Sequence, residues 1–127
     1  MTENDISYVL RGLLLAVHQE YGPGLYESIY EKVLLARIRQ AGLKAENQVP
    51  IYLDEEGLRE TVAFRIDILV EDKVIIEIKA VEELHRVHFV QVKSYLRLTG
   101  LKLGLLINFN TDRILQKPGF NRIANNL

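Results

Sequence analysis

Two short aliphatic runs carry the residues best suited to chemistry: Arg65-Ile-Asp67-Ile-Leu-Val70 and Val74-Ile-Ile-Glu77-Ile-Lys79. Read with the period of two that a strand imposes, Arg65 and Asp67 share one face, while Phe64, Ile66, Ile68 and Val70 take the other. Glu77 and Lys79 likewise share a face, opposite Val74, Ile76 and Ile78. Runs this rich in β-branched residues read as well-buried strands, where charges are costly unless paired or bound to a metal. An antiparallel hairpin turning through Glu71-Asp72-Lys73 pairs Val70 with Val74, which sets Asp67 opposite Glu77 and Arg65 opposite Lys79. A one-residue slip would send the two carboxylates to different faces. Facing carboxylates repel, and they coexist if a cation lies between them or if one keeps a proton; hard divalent metals favour such oxygen donors. Lys79 would offset part of the charge and reach a metal-bound water. The competing explanation is an ordinary salt-bridged pair on a half-exposed face.

The rest of the chain must hold this hairpin in place. Thr2 and Asp5 have capping-box spacing, and Ile6, Val9, Leu10, Leu13, Leu14 and Val17 recur at helical intervals, predicting a first helix that ends near Tyr21. Gly22-Pro23-Gly24 breaks it. A second helix is expected from about Leu25 to Gln40, with Gly42 just past its end. Glu27, Glu31, Leu34 and Ile38 fall on one face of that helix, with Tyr30 at its flank. Glu27 is either a first-turn carboxylate favoured by the helix dipole or a group aimed into a site by the glycine-proline turn. Lys44 to Leu53, interrupted by Pro50, reads as an edge strand, and the hairpin spans Thr61 to Ala80. A third helix is expected from Glu82-Glu83 to about Leu98, stopped by Gly100. Leu103 to Phe109 suits a strand buried on both faces. Arg113 to Gln116 reads as a short strand and residues 118–127 as a loose tail.

The third helix groups His88, Gln91 and Tyr95 within roughly 60° on the wheel, on the side of Leu84. Apolar neighbours on both flanks, among them Val87 and Leu98, predict that this set is buried and meets the hairpin. Arg86, Lys93 and Arg97 form a basic stripe on the opposite side, which then points to solvent.

Composition narrows the function classes. The chain has 127 residues, 48% hydrophobic and 26% charged, which suits a single domain over residues 1–127. A formal net charge of −1 supplies no global basic field, so any nucleic-acid partner must be held by a local patch or a metal. Without cysteine there is no disulfide, thiolate zinc site, iron–sulfur cluster or cysteine nucleophile. No glycine-rich phosphate loop and no serine–histidine–aspartate grouping occurs. The N-terminus lacks the basic region of a signal peptide, and no apolar stretch is long enough to span a bilayer, so a soluble, cytoplasmic protein is expected.

Gly24-Leu-Tyr-Glu27-Ser-Ile-Tyr30 matches the motif of the GxxExxY proteins. The blocks Arg65–Val70, Val74–Ala80, His88-Phe-Val-Gln91-Val-Lys-Ser-Tyr95-Leu96 and Gly104–Phe109 are similar to that family over nearly the whole chain. The family is placed in the PD-(D/E)xK nuclease superfamily. The resemblance implies an α/β, restriction-endonuclease-like fold: a mixed central sheet with an antiparallel hairpin core, flanked by helices on both sides. It implies that Asp67, Glu77 and the Ile78 carbonyl ligate magnesium or manganese, that Glu27 completes the metal site, and that Lys79 orients or polarises the attacking water. Gln91 and Tyr95 resemble the Gln-xxx-Tyr motif of the exonuclease-like branch. Ile66 stands where the superfamily's name has proline.

The leading expectation is metal-dependent hydrolysis of nucleic-acid phosphodiesters, with DNA ahead of RNA. The alternatives are a module that binds nucleic acid or protein without cutting, and a small-molecule phosphoesterase. Leucine-rich faces on the first helix and the terminal strand would suit a homodimer, or simply the core.

Overall fold

The first helix begins where its cap is strongest: the Thr2 hydroxyl accepts from the Asp5 amide at 3.1 Å, and the Asp5 carboxylate accepts from the Thr2 amide at 3.0 Å. A computed structural model describes residues 1–127. In chain order its elements are α1 (Glu3–Tyr21), α2 (Glu27–Gln40), β1 (Ala45–Tyr52), β2 (Val62–Val70), β3 (Val74–Lys79), α3 (Arg86–Thr99), β4 (Leu103–Asn108) and β5 (Phe120–Ala124). The five strands form one sheet in sequence order, antiparallel throughout except for β3 and β4, which run parallel. A parallel neighbour needs a crossover, and α3 supplies it.

Helices cover both faces, so the expected mixed α/β architecture is the one present. On one face α1 and α2 bury Ile6, Leu10, Leu14, Tyr30, Leu34 and Ile38 against Ile68, Val70, Val74, Ile76, Leu105 and Ile107. On the other, Val92 and Leu96 of α3 pack on Ile66, Ile75, Leu106 and Ile123. Close approach of α3 depends on Gly104, where an added Cβ would lie 2.5 Å from Val92 Cγ1. Leu10 and Leu14 of α1 and the three leucines of β4 lie in this core, whereas Leu15 is exposed. No helix is long and apolar enough to cross a membrane.

Several expectations are corrected. Helix α2 starts at Glu27, two residues later than its spacing predicts, and α3 at Arg86, four later. The acidic pair before α3 stays outside because His88 Nδ1 accepts from the His85 amide at 3.0 Å and fixes the helix start there. Arg113 to Gln116 is turn, and the supposed loose tail contains β5, paired with β4 from Ile107↔Phe120 to Leu103↔Ala124. Phe120 and Ile123 are three apart and serve opposite faces, which hides a strand that is buried on both sides.

The hairpin has the predicted turn and register, with Val70↔Val74, Leu69↔Ile75 and Ile68↔Ile76, but the ladder ends there. Arg65 pairs with Pro50 of β1 and does not face Lys79, whose partner is Asn108 of β4. Strict alternation along β2 also fails. Phe64 and Ile66 pack on the α3 side, whereas Ile68 and Val70 pack on the other. The change of facing falls at Asp67, level with Gln48 of β1. Gln48 has φ 50°, a left-handed conformation unusual for a non-glycine residue in a strand, and it turns the pleat over.

Candidate active site

The polar groups gather where β2 and β3 part. Beyond Ile68↔Ile76 side chains replace carbonyls as acceptors: the Ile78 amide donates to Asp67 Oδ2 at 2.8 Å, and the Asp67 amide donates to Glu77 Oε1 at 3.3 Å. The two carboxylates thus hold the strands at their point of divergence; they adjoin through these side-chain contacts and not as the directly opposed ladder pair that the hairpin spacing predicts.

Helix α2 brings in its own carboxylates. Tyr30 is fully buried and stacks on Phe109 with ring centroids 4.1 Å apart. Its hydroxyl donates to the Gly22 carbonyl and accepts from the Leu25 amide at 3.2 Å. This pins the Gly22-Pro-Gly24 turn, whose glycines have φ 63° and 112°, immediately before Glu27. Glu27 is exposed at the helix start, where its Oε2 accepts from the Ala80 amide at 3.1 Å, just past the end of β3. One turn later Glu31 is buried; it accepts from Asn47 Nδ2 at 3.2 Å and from Gln48 Nε2 at 2.7 Å. Gln48 Nε2 also reaches Asp67 Oδ1 at 3.3 Å. Glu27, Ser28, Glu31, Gln48, Asp67 and Ile78 line an open pocket of about 400 Å³.

Burial dominates the electrostatics. It pushes the Glu77 carboxyl, only 6% exposed, up to about 8, with the Asp67 charge adding to the effect. Asp67 is raised as well, first by burial and then by the Glu31 charge, while the Ile78 amide and Lys79 act in the opposite sense. Lys79 is half-buried at the end of β3 and forms no salt bridge.

Helix α3 contributes less than its pattern predicts. Tyr95 stacks on Phe64 with ring centroids 3.9 Å apart, and burial, followed by the Glu77 and Asp67 charges, raises the pKa of its hydroxyl. His88 Nδ1 is engaged by the His85 amide, and burial followed by the Lys79 charge lowers its pKa. Gln91 is exposed and its side chain makes no hydrogen bond, and Val87 and Leu98 are exposed as well. The helix seats itself through Val92 and Leu96, one position round from the polar set, which therefore runs along the edge of the contact. Arg86, Lys93 and Arg97 are exposed.

The donor chemistry suits a hard divalent cation: Asp67 and Glu77 are oxygen donors crowded in a buried setting that raises both pKa values, a repulsion that a cation would relieve. No three His, Asp or Glu side chains, however, are grouped as metal ligands. Glu27, Asp67 and Glu77 each turn an oxygen onto a main-chain amide instead.

Two residues of this constellation lie outside the sequence-based set. Glu31 carried a signal, since it follows Glu27 by one helical turn on the same face. Gln48 carried none: no pattern in Ala45–Tyr52 foretells a left-handed glutamine.

The family model described as PD-(D/E)XK nuclease superfamily matches residues 4–123. No curated protein and no solved structure matches the chain.

Proposed function

The chain belongs to the PD-(D/E)XK nuclease superfamily, and from that premise we propose that it hydrolyses nucleic-acid phosphodiester bonds with the help of a divalent metal ion. The observation that carries the reading is the pair of adjoining carboxylates, Asp67 and Glu77, at the fork of β2 and β3, with Lys79 two residues further along the same strand. Asp67, Glu77, the Ile78 carbonyl and Glu27 are the groups that would hold magnesium or manganese. Bound there, such an ion supplies the positive charge that activates water and stabilises the transition state at phosphorus.

The chain's own residues do the rest. The Ile78 amide and Gln48 fix the Asp67 carboxylate from two sides. Lys79 offers an unpaired ammonium to the attacking water or the phosphate. Tyr30 holds the turn that aims Glu27 at the pocket rim. Tyr95, stacked on Phe64, packs α3 against β2 beside the site.

Incubation of the purified protein with single- and double-stranded DNA and RNA, with and without Mg2+ or Mn2+, tests the proposal. Cleavage is expected to require the metal and to be lost in Asp67→Ala. Equal cleavage by wild type and Asp67→Ala would refute it.

A second reading, a domain that binds nucleic acid without cutting it, is favoured by one observation: the three acidic side chains engage main-chain amides and do not converge. It expects thermal stabilisation by Mn2+ with no cleavage of any of these substrates.

A further inference from the structure

We infer that Gln48, anchored by Glu31, is a positioning residue that sets the orientation of the Asp67 carboxylate for metal binding; this rests on the metal-dependent reading above. Each oxygen of Asp67 has its own donor. Oδ2 accepts from the Ile78 amide at 2.8 Å and Oδ1 from Gln48 Nε2 at 3.3 Å. One donor alone leaves a carboxylate free to rotate about its last side-chain bond, where aspartate has a broad torsional well; two donors on different oxygens fix its plane.

Gln48 is itself solvent-exposed and would wander without a hold. Glu31 provides it: a carboxylate 9% exposed, on the rigid face of α2, accepts from the same Nε2 at 2.7 Å, while its other oxygen takes Asn47 Nδ2 at 3.2 Å. The two hydrogens of one amide nitrogen therefore serve two carboxylates from different elements. The bridge also interposes a donor between the Glu31 and Asp67 carboxylates. Its geometry depends on the φ of 50° at Gln48, an uncommon conformation for a side-chain-bearing residue that the bridge helps to maintain.

The test is Mn2+ binding, followed by titration with the metal alone, in wild type, Gln48→Ala, Glu31→Ala, Glu31→Gln, the double alanine variant and Asp67→Ala. Outer residues that orient a ligand typically change metal affinity by about 10- to 100-fold, and a rise of that size in Kd is expected for both single alanine variants. The double variant should be no weaker than either single one, because both cut the same relay. Glu31→Gln keeps an acceptor for Gln48 and should recover affinity relative to Glu31→Ala. In cleavage assays the loss should fall on kcat, with KM for the oligonucleotide held. Because Gln48 is exposed, Gln48→Ala carries the test even if Glu31→Ala fails to fold. Wild-type Mn2+ affinity in Gln48→Ala, with affinity lost in Asp67→Ala, would overturn the relay and leave the metal-dependent reading standing. Absence of Mn2+ binding by the wild type would overturn both.

Discussion

Replacing Glu77 by glutamine should make the metal-free protein more stable at neutral pH. Glu77 is 6% exposed, and burial, reinforced by the Asp67 charge, moves its pKa from 4.5 to about 8. A carboxyl whose pKa is raised in the fold binds a proton that the unfolded chain has already released. Its contribution to stability is fully present below pH 4.5, declines as the pH rises, and is lost once the pH passes about 8. At pH 7 the cost is on the order of 3 kcal/mol, from about 1.4 kcal/mol for each pH step above the unfolded value. Glutamine keeps the shape and an acceptor for the Asp67 amide but has no proton to hold. The variant should melt about 10 °C higher than wild type at pH 7 in EDTA, and the gap should shrink toward zero at pH 4.5. Thermal melts followed by circular dichroism between pH 4.5 and 8 measure it. Mn2+ at a hundredfold excess over Kd should stabilise wild type by about 2.7 kcal/mol and the variant much less, which narrows most of the gap. A constant difference in melting temperature across this range would refute the picture of Glu77 as a buried, proton-holding partner of Asp67.

Tyr30→Phe keeps the stack on Phe109 but removes the hydroxyl that ties Gly22 to Leu25; a loss of about 1–3 kcal/mol in urea unfolding is expected, with cleavage falling further than stability as Glu27 loses its aim. Gly104→Ala puts a methyl 2.5 Å from Val92 Cγ1, and the forced retreat of α3 should cost about 1–3 kcal/mol in the same assay. Asn108 is fully buried, accepts from the Val81 and Asn110 amides and donates to the Val81 carbonyl, so Asn108→Leu should cost about 3 kcal/mol and loosen the segment after Lys79, read as faster amide exchange at Val81.

Much of the fold was legible because its signals are local. The Thr2–Asp5 cap, the helical spacing of α1, the glycine stops after α2 and α3 and the continuous apolar run of β4 depend on neighbours in sequence, and all are present. β5 was not legible, since its strand character comes from the open edge of β4 and not from alternation of its own. The start of α3 was misread because acidic residues usually favour a helix N-terminus, and here the His85–His88 contact decides the start instead.

The candidate site divides along the same line. The sequence by itself determined the three-residue turn and the register from Val70↔Val74 to Ile68↔Ile76, which carries Asp67 and Glu77 to the same end of the hairpin. It also determined that Glu27 lies near the start of a helix that follows a glycine-proline turn. Only the tertiary structure decided that the hairpin ladder stops at Ile68, that Arg65 parts from Lys79, and that Glu31 and Gln48 join Asp67 across a reversed pleat. The physical reason is that β1, β2 and α2 are far apart along the chain. Their polar groups meet only after the core on both faces of the sheet has fixed where each backbone runs, and no local spacing records that meeting.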